Sequence, residues 1–112
     1  MSKPASRSYS VHSKEAVELL GSMIRSTRID RGMTIVELAE RAGISRGLVQ
    51  RIELGDMGCS IGTAFELAAI LGIRLFGSEP EIVARHLGVM REKLTLLPKS
   101  ARKPRKAAKD DF

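Results

Sequence analysis

The hydrophobic pattern along the chain is helical for most of its length, and glycines break it at intervals. From Glu15, the residues Val17, Leu20, Ile24 and Thr27 fall on one helical stripe that Gly32 stops. Thr34 starts a second helix, and Glu37 completes a capping box, in which each side chain accepts the other residue's backbone N–H. Leu38, Ala39 and Ala42 face inward on this helix, and Gly43 ends it. Ser45 is a natural N-cap for a third helix that buries Leu48, Val49 and Ile52 and stops at Gly55. A fourth runs from Ser60 through Ala64, Phe65, Leu67, Ala68 and Leu71 to Gly72. Residues 73–76 are too few for a helix and read as a brief strand. Ser78-Glu79-Pro80-Glu81 repeats the capping-box pattern, with proline in the first turn, and opens a fifth helix that Pro98 ends. The pattern predicts an all-α fold.

The fifth helix is patterned differently from the others. Val83, Leu87, Met90, Leu94 and Leu97 recur at spacings of four, three, four and three, a heptad seam suited to a second helix. Together with Ile73 and Leu75, whose strand can pair with its two-fold mate, these residues are candidates for a dimer interface. The seam can alternatively fold back on its own domain. Residues 1–14 are rich in serine and charge without periodicity and read as a flexible basic arm. The expected order is that arm, a domain over 15–77, a C-terminal helical segment over 78–98 and a disordered basic tail over 99–112.

Charge sharpens the picture only at the ends. The chain of 112 residues has a formal net charge of +6. Lys3, Arg7 and Lys14 stand in the arm without an acid, and the tail sets six basic residues against Asp110 and Asp111. Residues 15–98 hold ten basic and eleven acidic side chains, so the excess lies outside the domain. Basic ends can hold nucleic acid through counterion release, without reading sequence, or can simply aid solubility.

Composition excludes several classes. The length closes one core but not a two-lobed enzyme. With 4% aromatic residues and no Trp, that core is aliphatic. A single cysteine, Cys59, excludes an internal disulfide and an all-cysteine metal site, and His12 and His86 lack ligand spacing. Cys59 reads as a small, partly buried residue rather than a redox sensor. No catalytic constellation, phosphate loop or cofactor motif is present, so a non-enzyme without cofactor or metal is expected. No apolar stretch follows Met1 and no run approaches a membrane span, so the expected location is cytoplasmic.

Two short helices joined through Gly43, crossing at the small Ala39, match a helix-turn-helix unit, although a plain helical bundle shares that pattern. Residues 32–55 as a whole, with Thr34, Glu37, Leu38, Ala39, Gly43, Ser45, Ile52, Glu53 and Gly55, resemble the helix-turn-helix of the Cro/phage-repressor (XRE) family of bacterial transcription regulators. Leu20, Ile24, Arg25 and Arg28 before this stretch, and residues 60–71 after it, extend the likeness over residues 17–73. The resemblance implies a lambda-repressor-like five-helix bundle. One position departs: the family usually carries Gln after the Thr that begins the second helix, where it braces a phosphate contact, and here Ile35 stands. A backbone N–H at that helix start can still meet phosphate.

On the third helix, Gly47, Gln50 and Leu54 lie opposite the apolar stripe, flanked by Arg46 and Arg51. The resemblance implies that this helix enters the major groove, where Arg46 suits guanine and Gln50 suits adenine. Thr34, Ser45, Arg46, Gly47, Gln50 and Arg51 are the candidate DNA-binding residues. Arg28 either meets phosphate or, as the resemblance implies, forms a structural ion pair with Glu53. The expected partner is double-stranded DNA with a palindromic operator, bound by a homodimeric repressor with half-sites about 34–36 Å apart. The segment after the fourth helix and the end Asp110-Asp111-Phe112 are similar to HipB-type antitoxins. That likeness implies a HipA-type kinase toxin as partner, with Phe112 docking into it. Sequence-blind binding through the basic ends is a third reading.

Overall fold

The structure is a computed structural model that describes residues 8–101. It is all-helical: α1 (Val11–Asp30), α2 (Ile35–Ala42), α3 (Arg46–Glu53), α4 (Ile61–Ile70), a 3₁₀ turn (Leu75–Gly77) and α5 (Pro80–Leu96). No strand occurs among the described residues. The chain divides into two compact units, the first ending at Gly77 and the second beginning at Ser78. The expected basic tail and Phe112 fall largely or wholly in residues 102–112, outside the described residues.

In the first unit, the predicted stripes meet in one aliphatic core. Ile24 from α1, Leu38 and Ala39 from α2, Val49 and Ile52 from α3, and Leu67, Ala68 and Leu71 at α4 are buried together. Leu48 and Ala42 are half-buried at its edge. Four helices end in the same way: a backbone N–H reaches back over a left-handed glycine to the carbonyl five residues earlier. The bonds are Met33 N to Arg28 O, Ile44 N to Ala39 O and Asp56 N to Arg51 O at 3.0 Å, and Ile73 N to Ala68 O at 2.9 Å.

Three expectations are corrected. Helix α1 starts at Val11, not Glu15, because Ser10 caps it: its backbone is extended and its Oγ accepts the Ser13 N–H at 3.2 Å. Residues 11–14 are thus the first turn of a helix, and of the expected arm residues 1–7 lie outside the described residues. The strand over residues 73–76 is absent. Ile73 spends its N–H in closing α4, and Ile73 and Leu75 pack half-buried against their own core. Phe76 turns the chain at φ 55°, with its ring edge-on to Phe65 at 6.1 Å. That apolar run is drawn to the core, so Ile73 and Leu75 offer no strand for a two-fold mate. Lastly, α5 has Glu79 as its N-cap with no side-chain capping bond, in place of the box expected from Ser78. Pro80 at the helix start lacks an N–H, which removes one donor that a cap would otherwise satisfy.

Taken by itself, α5 presents Val83, Leu87, Met90 and Leu94 within an arc of about 60°.

Gly21 sets how closely α1 approaches α3. It is buried, and a Cβ at this position would meet the carbonyl oxygens of Ile52 and of Glu53, the latter at 2.8 Å. Both are backbone atoms near the end of α3, so neither can swing away. Gly21→Ala is expected to cost about 1–3 kcal/mol through overpacking, despite the better helix propensity of alanine. Thermal denaturation checks this; an unchanged melting temperature would show that α1 shifts freely along α3.

Candidate nucleic-acid interface

The interface is built on two capped helix starts. Thr34 Oγ1 accepts the Glu37 N–H at 3.0 Å, and Glu37 Oε1 accepts the Thr34 N–H at 2.8 Å. The backbone N–H of Thr34 holds the Glu37 carboxyl below its usual range, because it stabilises the charged form. After the turn through Gly43, Ser45 Oγ accepts the Leu48 N–H at 3.1 Å and starts α3. Each hydroxyl acts as acceptor in its cap and retains its own O–H for a further partner.

Burial of Val49 and Ile52 fixes the rotation of α3 and leaves Arg46, Gly47, Gln50, Arg51 and Leu54 exposed. Among the described residues, the side chains of Arg46, Gln50 and Arg51 make no hydrogen bond or ion pair. Arg46, Gly47 and Gln50 share one open depression of about 790 Å³ with Thr34, Ile35 and Val36 at the start of α2. Four of the six candidates, Thr34, Arg46, Gly47 and Gln50, therefore line one depression, while Ser45 caps α3 and Arg51 is exposed on it. A Cβ at Gly47 would have Ser45 Oγ as its nearest neighbour, at 4.0 Å, so no internal contact requires a glycine there.

Behind this face lies an ion pair. Arg28 Nε donates to Glu53 Oε2 at 2.7 Å and Nη2 to Oε1 at 3.0 Å, while Nη1 donates to the Met33 carbonyl at 3.0 Å. Arg28 is 8% exposed and Glu53 6%. The bond to Glu53 raises the pKa of Arg28 against the opposing effect of desolvation. All three guanidinium nitrogens are engaged inside the domain, which commits three of the five N–H donors to the ion pair and the Met33 carbonyl.

Residues 24–77 match a protein-family model described as Helix-turn-helix. This segment is similar to helix-turn-helix domains, and α2, the short turn and α3 have the arrangement of a helix-turn-helix unit. No curated protein matches the chain. The family match supports a DNA-binding transcription regulator as the function of the chain.

Elsewhere in the helix-turn-helix domain, Cys59 is half-buried. Burial pushes its thiol pKa up, nearby Asp56 adds to this, and Arg51 opposes it. The described residues hold no group of three His, Cys, Asp or Glu side chains placed for a metal, and no described helix is long and apolar enough to cross a membrane. Two supports of the site carry no sequence signal that distinguishes them. The Met33 carbonyl is a backbone acceptor available to any residue type, and Gly21 looks like any helical glycine until α3 is laid against it.

The ion pair yields a stability prediction. Removing one member strands the other as a buried charge, at about 3–5 kcal/mol if burial is complete. Arg28→Ala and Glu53→Ala are each expected to lower stability strongly, and the double variant to lose much less than their sum. A urea-denaturation double-mutant cycle measures the coupling; additive losses would show that the two side chains act independently.

Proposed function

We propose that the helix-turn-helix domain reads double-stranded DNA in the major groove with α3, as a dimeric repressor on a palindromic operator. The observation that carries the reading is the exposed stripe of Arg46, Gln50 and Arg51, whose side-chain hydrogen-bonding groups have no partner among the described residues. Arg46 can fork onto guanine O6 and N7, and Gln50 onto adenine N6 and N7, each worth about 1–3 kcal/mol of discrimination. Arg51 and the free O–H bonds of Thr34 and Ser45 suit phosphate oxygens, which position the helix without specifying sequence. Gly47 weakens an isolated helix by roughly 1 kcal/mol relative to alanine, and close approach to the groove wall is a use that offsets this.

The test is selection of duplexes from a random pool by the full chain. Arg46→Ala and Gln50→Ala should each cost about 1–3 kcal/mol on the selected sequence and change random-duplex binding little. Selection of an unaltered consensus by both variants would overturn the assignment of α3 as the reading helix.

Dimerisation is proposed through the α5 seam. The helix described in the second unit has no buried residue, and an isolated helix of 17 residues is marginal in water without a packed face. Val83, Leu87, Met90 and Leu94 supply that face for a second copy. On a palindromic operator the two recognition helices would address half-sites about 34–36 Å apart, the spacing of one DNA turn. Leu94→Glu in the full chain should shift the monomer–dimer equilibrium at least tenfold toward monomer, on the order of 1.4 kcal/mol. Sedimentation of the variant as an unweakened dimer would exclude the seam. The antitoxin reading, in which Phe112 docks on a HipA-type kinase toxin, depends on a residue outside the described ones, and no observation favours it over DNA binding alone.

A further inference from the structure

Two open depressions flank Gln50. One continues toward Arg46 and Gly47, the other toward Arg25 and Leu54. Three residues line both: Gln50 itself, the internally engaged Arg28, and Ile35. Ile35 is therefore the apolar side chain common to both sides of the glutamine that faces outward from α3. It is half-buried and packed against the core, so its inner part is anchored while the remainder stays open. Its position is held further by the Thr34–Glu37 capping box that brackets it, and a β-branched side chain has little freedom at χ1. A fixed apolar group beside an amide reader is chemically suited to one feature of the major groove, the C5 methyl of thymine, which stands next to the hydrogen-bonding edge of its paired adenine.

We infer that Ile35 is a specificity-determining residue that receives a thymine methyl at or beside the A·T pair addressed by Gln50. This inference rests on the DNA-binding reading above. It assigns to Ile35 a role in base selection, where a polar residue at the start of α2 would only meet the backbone.

Replacing thymine by uracil removes that methyl and leaves charge and base-pair hydrogen bonding unchanged, so it isolates the contact. The full chain is first used to select a duplex from a random pool. Each thymine of the selected duplex is then replaced singly by uracil, and binding is measured on both versions. One position per half-site should lose about fourfold in affinity, the transfer value of one buried carbon. It should lie at, or one step from, the position where Gln50→Ala relaxes selection. Ile35→Gln should bring the thymine-to-uracil ratio to one, and Ile35→Val should reduce it only in part. Because the ratio is taken on the same protein sample, loss of folded protein does not imitate the effect, and the valine variant supplies the reading if the glutamine variant does not fold. A ratio of one at every position in the unmodified protein overturns the inference while leaving the DNA-binding reading intact. A ratio that persists unchanged in the Ile35 variants overturns it too, by assigning the methyl to another side chain. A pool that yields no consensus removes the DNA-binding reading, and this inference with it.

Discussion

The arrangement depends most on the buried pair between Arg28 and Glu53. One guanidinium ties three parts of the chain together: α1, which carries it; the end of α3, which supplies the carboxylate; and the loop before α2, which supplies the Met33 carbonyl. Burying two charges costs desolvation energy that the Coulomb attraction offsets only when the geometry is good, so such a pair is weak evidence for added stability. Its value here is placement. With both carboxylate oxygens and a carbonyl engaged, the end of α3 has one favourable position against α1. Gly21 acts at the same crossing by a different means, since it sets the distance where the ion pair sets the register. Attraction and steric limit together hold the helix whose outer face carries the candidate base-reading groups.

The local chemistry of the helix ends complements this long-range tie. Helices α2 and α3 have eight residues each, too short to persist alone. One N–H in each first turn, that of Glu37 and that of Leu48, is satisfied by Thr34 and Ser45, and α2 closes on the bond from Ile44 to Ala39 over a left-handed glycine. The turn between them is consequently short and specified at both sides. It cannot lengthen without breaking a cap, so the angle between α2 and α3 is set by backbone hydrogen bonding as much as by the core.

Much of this was legible in the sequence because it rests on local rules. The four glycine stops, the capping box at Thr34 and Glu37, and the inward faces of α2 and α3 follow from residue type and spacing alone. The start of α1 was not legible from periodicity. Residues 11–14 include no stripe residue, and only the cap at Ser10, hidden in a serine-rich stretch, marks the first turn. Residues 73–76 misled for another reason. An apolar run of strand-forming residues satisfies the pattern for a strand, but the closing bond of α4 and the pull of the core take up the same residues. Gly21 and the Met33 carbonyl became visible only with helices in contact, since neither differs in type from positions that touch nothing.

The partnerless state of the α3 stripe has a consequence for how such a protein can change over generations. The side chains of Arg46, Gln50 and Arg51 contribute nothing to the internal hydrogen bonding, and a Cβ at Gly47 would meet nothing closer than Ser45 Oγ at 4.0 Å. Folding is secured by the other face of the same helix, by its cap and by the pair behind it. Substitutions on the stripe are thus nearly free of epistasis with the core, and, on the proposed reading of α3, lineages can drift in which DNA sequence they prefer by single steps, each passing through a fully folded intermediate. A duplicated copy could acquire a new regulatory target without any compensating change elsewhere in the domain.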